Sequence, residues 1–395
     1  MANVSSSNGL EKRPKLRFPG FDEPWKSVAL GSILQERNEY SEKDGSYEHA
    51  TLSKEGIYGK TARYDRDFLV ATENKKYKVT HYNDLCYNPA NLKFGVICLN
   101  KYGDAIFSPI YITFEIDKEV DVDFLGANLT RWDFINRALR FQQGTVYERM
   151  AVSPEDFLSI QCYLPSRAEQ TCISSFIQVL DKRIEKQGKL VESLKKYKRG
   201  LLTYAFEEMT LSDDADSTTY HFSEIVQRRK EKYSPDSGVE CPCIELEHIE
   251  QGTGRLLGSV SSTTQSSIKT VARSGDVLFG KLRPYLRKFA FAEQDIVCSS
   301  EIWAFVPSEY VISKYLYYLV QTEHFLRVAN ISSGTKMPRA EWANIEKEPF
   351  DIPCILIQEK IVSILEAIDK KICTSGDSLR MLMNFREGLL QQLFI

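Results

Sequence analysis

The sequence contains two copies of one design, and this repeat constrains the fold more than any other feature. Residues 165–206 and 353–394 share their landmarks at a constant offset of 188 positions. The matched landmarks are Gln170 with Gln358, Asp181 with Asp369, Gly200 with Gly388, and Phe206 with Phe394. A repeat of this length exceeds a solenoid unit and fits a whole domain with an attached helix. The chain is therefore predicted to bind its target through two similar units.

Each copy ends in a stretch with the apolar spacing of a coiled-coil helix. Apolar residues recur in alternating steps of four and three, which is a heptad seam. The predicted helix-pairing residues are Ile173, Ile177, Leu180, Ile184, Val191, Leu194 and Leu201 in the first copy, and Ile361, Leu365, Ile368, Ile372, Leu379, Leu382 and Leu389 in the second. Polar residues fill two slots of each seam, namely Gln187 and Lys198, then Ser375 and Arg386.

A helix of about 40 residues is about 60 Å long, and a seam of that length must be buried. The simplest partner is the other copy, packed antiparallel as a coiled coil. The alternative is that each helix packs on its own globular domain. Gly188 and Gly376 occupy the same place in both helices, which predicts a fraying point or a close crossing there.

The remainder of the chain reads as two strand-rich modules that also match each other. The segment 30–33 aligns with 222–225, Arg37 with Arg229, and Asp84 with Asp276, each at an offset of 192. The predicted class is α+β: two tandem mixed α/β domains, separated by two long antiparallel coiled-coil helices, in a pseudo-twofold internal repeat. The predicted boundaries are a disordered tail (1–13), a first domain (14–165), a first spacer helix (166–208), a linker (209–219), a second domain (220–353) and a second spacer helix (354–395).

Composition narrows the functional class. No run of about 18 apolar residues occurs, so no membrane span is expected. Nine cysteines are scattered through the chain, which favours reduced thiols and a cytoplasmic location. The net charge of −3 neither supports nor excludes nucleic-acid binding, because the local distribution of charge decides that property.

No catalytic set can be assembled from the sequence. The stretch 87–90 lacks part of the adenine-methyltransferase loop that it imitates, and the glycines at 252 and 254 fit a β-turn better than a dinucleotide loop. Cys241 and Cys243 have no second cysteine pair for zinc, and the histidines show no ligand spacing. We therefore predict a non-catalytic protein that binds or organises others, without a metal site.

Basic clusters occur at comparable places in both halves, and they predict a nucleic-acid surface. Lysine and arginine neutralise phosphates, arginine can read guanine, and tyrosine can stack on bases. The predicted DNA-binding residues are Lys60, Arg63, Tyr64, Lys76, Lys78, Asn91 and Lys93 in the first half, and Lys269, Arg273, Lys281, Arg283, Tyr285, Arg287, Lys288, Lys336 and Arg339 in the second. The alternative is an ordinary solvated charged face.

Four stretches together resemble the specificity subunits of type I restriction–modification systems. These are the opening R-F-P-G-F-x-x-P-W at 17–25, G-D-V-L-F-G-K-L-R-P-Y-L-R-K at 275–288, S-G-T at 333–335, and the helix starts in which Pro165 and Pro353 precede Gln170 and Gln358. The first copy departs from the pattern, with Gln143 before Gly144 and Thr145. The resemblance spans essentially the whole chain.

The resemblance implies a subunit with two target-recognition domains, each reading one half of a bipartite site in double-stranded DNA. The paired helices would separate the domains and dock two methyltransferase subunits, and a restriction (translocase) subunit would complete the complex. S-adenosylmethionine, ATP and Mg²⁺ would then bind the partner subunits, with no cofactor in this chain. The alternatives are a tandem coiled-coil scaffold unrelated to DNA and a solitary nuclease or methyltransferase.

Overall fold

The structure is a computed structural model that describes residues 3–4, 12–42, 45–60, 76–143, 150–210, 216–237, 239–331 and 337–395. The chain divides into two compact units. Unit 1 comprises Met1–Lys186 with Leu379–Ile395, and unit 2 comprises Gln187–Ser378. Each unit therefore contains one globular module and part of both long helices.

Unit 1 is built from short strands and three short helices before the first long helix. The strands are β1 (Asn3–Val4), β2 (Leu16–Arg17), β3 (Lys26–Ala29), β4 (Leu34–Glu36), β5 (Tyr40–Ser41), β6 (Glu48–Ser53), β7 (Gly56–Gly59), β8 (Tyr77–Thr80), β9 (Leu85–Tyr87), β10 (Ile97–Leu99), β11 (Ala105–Phe107), β12 (Ile112–Ile116) and β13 (Gln161–Leu164). The helices are α1 (Val122–Leu129), α2 (Trp132–Ala138), α3 (Pro154–Ser159) and the long α4 (Arg167–Thr203), which runs into unit 2.

Unit 2 repeats this order. Its strands are β14 (Thr218–His221), β15 (Val226–Arg228), β16 (Lys232–Tyr233), β17 (Pro242–Ile244), β18 (Val260–Ser261), β19 (Lys269–Ala272), β20 (Val277–Gly280), β21 (Phe289–Phe291), β22 (Ile296–Cys298), β23 (Ile302–Pro307) and β24 (Pro349–Ile352). The helices are α5 (Phe222–Ile225), α6 (Ser313–Leu319), α7 (Glu323–Ala329), α8 (Trp342–Ile345) and the long α9 (Ile355–Leu393), which ends in unit 1.

The two modules have the same sheet topology. A four-stranded sheet has the order β10-β9-β12-β4 in unit 1 and β21-β20-β23-β15 in unit 2. A five-stranded sheet has the order β5-β8-β11-β6-β7 in unit 1 and β16-β19-β22-β17-β18 in unit 2. One parallel pair interrupts each five-stranded sheet, β6 with β11 and β17 with β22. The predicted α+β class with an internal repeat is confirmed at the level of individual strands.

A buried glutamine ties each long helix to its module. The Gln170 amide accepts a hydrogen bond from Asp121 N at 2.8 Å and donates to Pro165 O at 3.0 Å. Gln358 makes the equivalent bonds with Ile312 N and Pro353 O, at 3.0 and 2.9 Å. Each glutamine therefore satisfies a backbone donor near the start of α1 or α6, and this explains the repeated proline–glutamine signature.

The long helices begin and end close to the predicted positions. The first ends its regular part at Thr203 and continues as a π-helical turn over Tyr204–Met209. Both helices run without interruption through Gly188 and Gly376, and no described atom outside the local helix lies within 4 Å of a Cβ built on either glycine. The glycines themselves therefore do not mediate a close crossing, and the predicted fraying point stays a prediction.

Candidate nucleic-acid interface

The loop at the end of β20, residues 280–288, exposes polar side chains on a backbone that several hydrogen bonds hold in place. Gly280 N donates to Lys288 O at 2.8 Å, and Pro284–Leu286 forms one 3-10 turn. Arg283 and Arg287, which flank the turn, both adopt left-handed backbone angles, with φ of 51° and 50°. Such angles are uncommon for residues other than glycine and occur often at functional sites. The segment beside it is fixed by bonds from Arg283 N to Pro338 O and from Ala340 N to Lys281 O, each at 2.8 Å.

Only some of the predicted residues of this loop point to solvent without a partner. Arg283 and Tyr285 are exposed, Lys281 is half-buried, and none of their side chains bonds to another described residue. Three other cations are engaged: Arg287 pairs with Glu323 at 2.7 Å, Lys288 Nζ donates to Leu246 O, and Arg339 pairs with Glu301 at 3.1 Å. The exposed guanidinium of Arg283 and the exposed ring of Tyr285, in one loop, are groups suited to nucleic-acid contact.

The first module contains the same loop over residues 88–96. Asn88 N donates to Val96 O at 3.0 Å, and Leu92–Phe94 forms the matching 3-10 turn. Gly95 takes the left-handed angle of Arg287, with φ of 79°. At the offset of 192 established by β9 and β20, Asn91 corresponds to Arg283 and Lys93 to Tyr285. The structure thus places these four predicted residues at equivalent positions of two equivalent loops.

Two of the predicted DNA-binding lysines are interior residues, and the structure corrects their assignment. Lys78 is 1% exposed, and its Nζ lies 2.8 Å from Glu36 Oε1 and 2.9 Å from Asn38 Oδ1. Lys269 is 5% exposed and pairs with Glu245. Buried lysines are held by such partners because an unpaired charge in the interior is costly. Both therefore stabilise their sheets and are not placed to reach phosphates.

The remaining predicted residues are more dispersed. Lys60 is half-buried and Lys76 exposed, and neither makes a side-chain bond to a described residue. Arg273 bridges Glu231 and Asp295, each at 2.8 Å. Arg63, Tyr64 and Lys336 lie outside the described residues, as do the Gly-Thr elements at 144–145 and 334–335.

A matched pair of ion pairs anchors the strand that leads into each loop. Arg37 donates bidentately to Asp84, at 2.9 and 3.0 Å, and Arg229 does the same to Asp276. In both modules the aspartate also accepts the backbone N–H three residues before it, from His81 or Arg273. Because Asp84 and Asp276 immediately precede β9 and β20, each pair fixes the base of a loop-bearing strand.

The modules differ in the cation beside this anchor. In unit 2 it is Arg273, whereas in unit 1 it is His81, which lies 3.1 Å from Glu39 and 3.0 Å from Asp104. Burial lowers the pKa of His81, but the hydrogen bonds to Glu39 and Asp104 outweigh that effect and raise it above the ordinary value. Unit 1 therefore carries a titratable cation where unit 2 carries a permanent one.

The long helices pair, and they also join the module cores. Ile173 and Ile177 of α4 belong to one core with Phe124 and with Leu393 of α9. In unit 2, Leu194 belongs to one core with the second-copy seam residues Ile361, Leu365 and Ile368. Val191 is also buried; the half-buried seam residues are Leu180, Ile184, Leu201, Ile372, Leu379, Leu382 and Leu389. Both alternatives are therefore correct: the helices pair with each other, and each also packs on a module.

The polar residues that interrupt the two seams form bonds between the helices, and the sequence did not predict these bonds. Gln187 Nε2 donates to Ser375 O at 2.9 Å, and Lys198 lies 2.7 Å from Asp369. Since the partner number falls as the α4 number rises, the helices are antiparallel within unit 2. Unit 1 contains the equivalent ion pair, Asp181 with Arg386. Lys198 and Arg386 are repeat equivalents, so one cross-helix bond occurs twice.

Phe94 is the other residue that the sequence reading missed. Its ring is 59% exposed at the tip of the first loop, with Lys93 Nζ 5.1 Å from the ring centroid. Its alignment with Leu286 at the offset of 192 was the available signal.

Within the described ranges, no group of three or more His, Cys, Asp or Glu side chains could hold a metal ion. None of the described helices combines the length and apolar character needed to cross a membrane.

Comparison with known proteins supports the resemblance. Residues 224–377 match the model of the type I restriction modification DNA specificity domain. The chain is therefore similar to the specificity subunits of type I restriction–modification systems, and its residues 224–377 carry a type I specificity domain. The match lies on the second module and the first part of α9, where the sequence resemblance is also strongest.

Two curated members of the family are similar to the chain. The EcoDI specificity subunit of Escherichia coli is 22% identical over 282 residues, which are 60% of this chain and 62% of that subunit. The HindI specificity subunit of Haemophilus influenzae is 25% identical over 135 residues, 32% of this chain and 29% of that subunit. The chain thus spans less than two thirds of the length of either relative.

Solved structures share the fold over almost the whole chain. The S subunit from M. genitalium is 16% identical, with a TM-score of 0.60 over 97% of this chain and 99% of that one. A chain from a study of complex assembly and conformational transition of the type I R-M system is 18% identical, with a TM-score of 0.56 over 95% of this chain and 98% of that one. At this identity the likeness establishes the fold.

Proposed function

We propose that the chain reads a bipartite site in double-stranded DNA, one module for each half-site, as the specificity subunit of a type I restriction–modification complex. The observation that carries the proposal is the pair of equivalent loops, 88–96 and 280–288. Three backbone bonds are equivalent in the two loops, and each loop exposes side chains of types that can hydrogen-bond bases or contact phosphates. The loops differ in sequence, as two readers of different half-sites would.

The proposal assigns chemistry to other subunits. This chain contributes binding and spacing, while methyl transfer with S-adenosylmethionine and cleavage with ATP and Mg²⁺ belong to methyltransferase and restriction subunits. Its support is the lack of a catalytic set in the sequence. A test is to incubate the purified chain with DNA, Mg²⁺ and S-adenosylmethionine, where we expect no methylated or cut product; a product that survives removal of contaminating subunits would contradict it.

Substitution of Arg283 tests the reading role. Arg283→Ala removes an exposed guanidinium without leaving a described partner unpaired, so the fold is retained. If Arg283 contacts a base, specific binding weakens by about 1–3 kcal/mol and selectivity relaxes in one half-site only. Binding of the assembled complex to duplexes with single changes in either half-site measures this. Equal weakening on all duplexes would assign Arg283 to a phosphate.

Docking of the methyltransferase subunits is proposed for the outer faces of the long helices. Tyr197 and Phe385 are repeat equivalents, and they are 60% and 55% exposed. Exposed aromatic side chains at matching places in both copies are expected where two identical partners bind. We expect Tyr197→Ala and Phe385→Ala each to weaken binding of one methyltransferase subunit. Phe94→Ala, which removes an equally exposed ring outside the helices, should leave the subunit stoichiometry unchanged.

A further inference from the structure

We infer that the two loops read different bases at the same loop position: Asn91 reads an adenine in one half-site and Arg283 reads a guanine in the other. This inference rests on the proposed function. It goes further, because it names the base that each module selects and the residue that selects it.

The equivalence of the two positions comes from the backbone. Phe94 N donates to Asn91 O at 2.9 Å, and Leu286 N donates to Arg283 O at 2.9 Å. The next bond of each turn, from Gly95 N to Leu92 O and from Arg287 N to Pro284 O, is 2.8 Å long in both. Asn91 and Arg283 each accept the first bond of a 3-10 turn that follows a matched strand. The two residues therefore occupy the same place in equivalent turns, although φ is −107° at Asn91 and 51° at Arg283.

The chemistry of the two side chains differs in a way that DNA can distinguish. A carboxamide accepts and donates in the pattern of adenine N6 and N7, whereas a guanidinium donates twice to guanine O6 and N7. Both side chains are exposed, and neither bonds to any other described residue. Both therefore keep their full hydrogen-bonding capacity for a base edge.

The surroundings of each loop agree with this assignment. Beside Asn91, the surface is aromatic: Phe94 is 59% exposed, and a Cβ built on Gly95 would lie 3.5 Å from the Trp132 ring, itself 49% exposed. Apolar side chains suit the methyl group of the thymine that pairs with adenine. In unit 2, Arg287 stands at the place of Gly95 and forms an ion pair with Glu323, the first residue of α7 as Trp132 is the first residue of α2. That loop offers hydrogen bonds in place of an apolar surface.

The test is an exchange of the two residues in the complex of the full chain with its methyltransferase subunits. Asparagine tolerates the left-handed backbone of position 283, and position 91 has an ordinary φ of −107°. Arg283→Asn and Asn91→Arg are therefore compatible with the fold. Selection of bound duplexes from a random library, followed by sequencing, identifies the preferred bases.

For the unaltered chain we expect a bipartite site with an adenine in one half-site and a guanine in the other. Asn91→Arg should convert that adenine to guanine, and Arg283→Asn should convert that guanine to adenine, with the opposite half-site unchanged. Each substitution should replace a selectivity of about 5- to 150-fold for one of the two bases, adenine or guanine, by a selectivity of similar size for the other. Arg287→Asn removes the same charge from the neighbouring left-handed position, and it should weaken binding with no change of base.

The outcomes separate the two proposals. If the unaltered complex selects no bipartite site, the proposed function fails. If it selects one and both exchanges leave the bases unchanged, the inference alone is overturned. Should an exchanged chain fail to assemble, Asn91→Ala and Arg283→Lys provide the same test, because each must lower discrimination at one base pair; unaltered discrimination would refute the assignment.

Discussion

The ion pair between Lys198 and Asp369 provides the sharpest stability prediction, because the repeat supplies its own control. The Lys198 side chain is 10% exposed, and its Nζ also donates to Gln321 at 3.0 Å. Asp369 is 29% exposed and accepts a further bond from Tyr318 at 3.0 Å. Asp369→Asn removes the negative charge with little change of shape, so Lys198 is left buried without its counter-charge, although it still donates to Gln321.

We expect Asp369→Asn to destabilise unit 2 by about 3 kcal/mol, near the lower limit for breaking a buried ion pair, because Asp369 is partly solvated. The control is Asp181→Asn at the equivalent position of unit 1. There Arg386 and Asp181 are 37% and 43% exposed, and a pair of that kind contributes at most about 1 kcal/mol. Native-state hydrogen exchange measures the opening free energy of each unit separately.

The pH dependence gives an independent check. Burial lowers the pKa of Lys198 below its ordinary value, although Asp369 opposes the shift. Loss of Asp369 lowers that pKa further. Because the unfolded lysine then binds protons more tightly, the stability of Asp369→Asn rises with pH through the folded-state pKa of Lys198. Equal losses from both substitutions, or a loss for Asp369→Asn that does not diminish at high pH, would refute the reasoning.

Two further predictions follow from matched features of the repeat. The raised pKa of His81 contributes stability that is fully present below the ordinary histidine pKa of about 6.5 and is lost as pH rises through the folded-state value. Hydrogen exchange of unit 1 should show this loss, and His81→Arg, which copies Arg273, should abolish it; a loss that persists in the variant would contradict the assignment to His81. Insertion of one heptad into both long helices adds about 10 Å to each, so the gap between half-sites should lengthen by roughly three base pairs. Sequencing of selected duplexes measures the gap, and an unchanged gap would exclude a ruler role for the helices.

The sequence predicted the long helices and the α+β repeat because both depend on local spacing. The heptad seam identified residues that the structure buries, such as Ile173 and Ile361, or half-buries, such as Leu180 and Leu379. The seam showed the positions of Lys198 and Arg386 only as polar interruptions. Their role as ion-pair partners depends on which residue of the other helix lies opposite them in the antiparallel pair. Residues that are distant along the chain become neighbours only in the folded state.

The candidate interface was predicted less completely, for a related reason. In the sequence, Lys78 and Lys269 resemble surface cations. Each is buried against a glutamate, Glu36 or Glu245, that is not part of the lysine's own strand. The equivalence of Asn91 with Arg283 was hidden because the residue types differ. The offset also changes from 188 in the helices to 192 in the modules. The offset of 192 between Asp84 and Asp276 aligns the two positions, but only the matched strands and turns of the structure show that both lie in equivalent loops.

The central claim is that one chain reads two different half-sites. Methylome sequencing of cells that carry this chain with the proposed methyltransferase and restriction subunits tests it most directly. The account predicts one methylated motif with two unlike half-sites separated by a fixed gap, in which Arg283→Ala relaxes one half-site only. A single uninterrupted motif, two identical half-sites, or relaxation of both half-sites in the variant would contradict it.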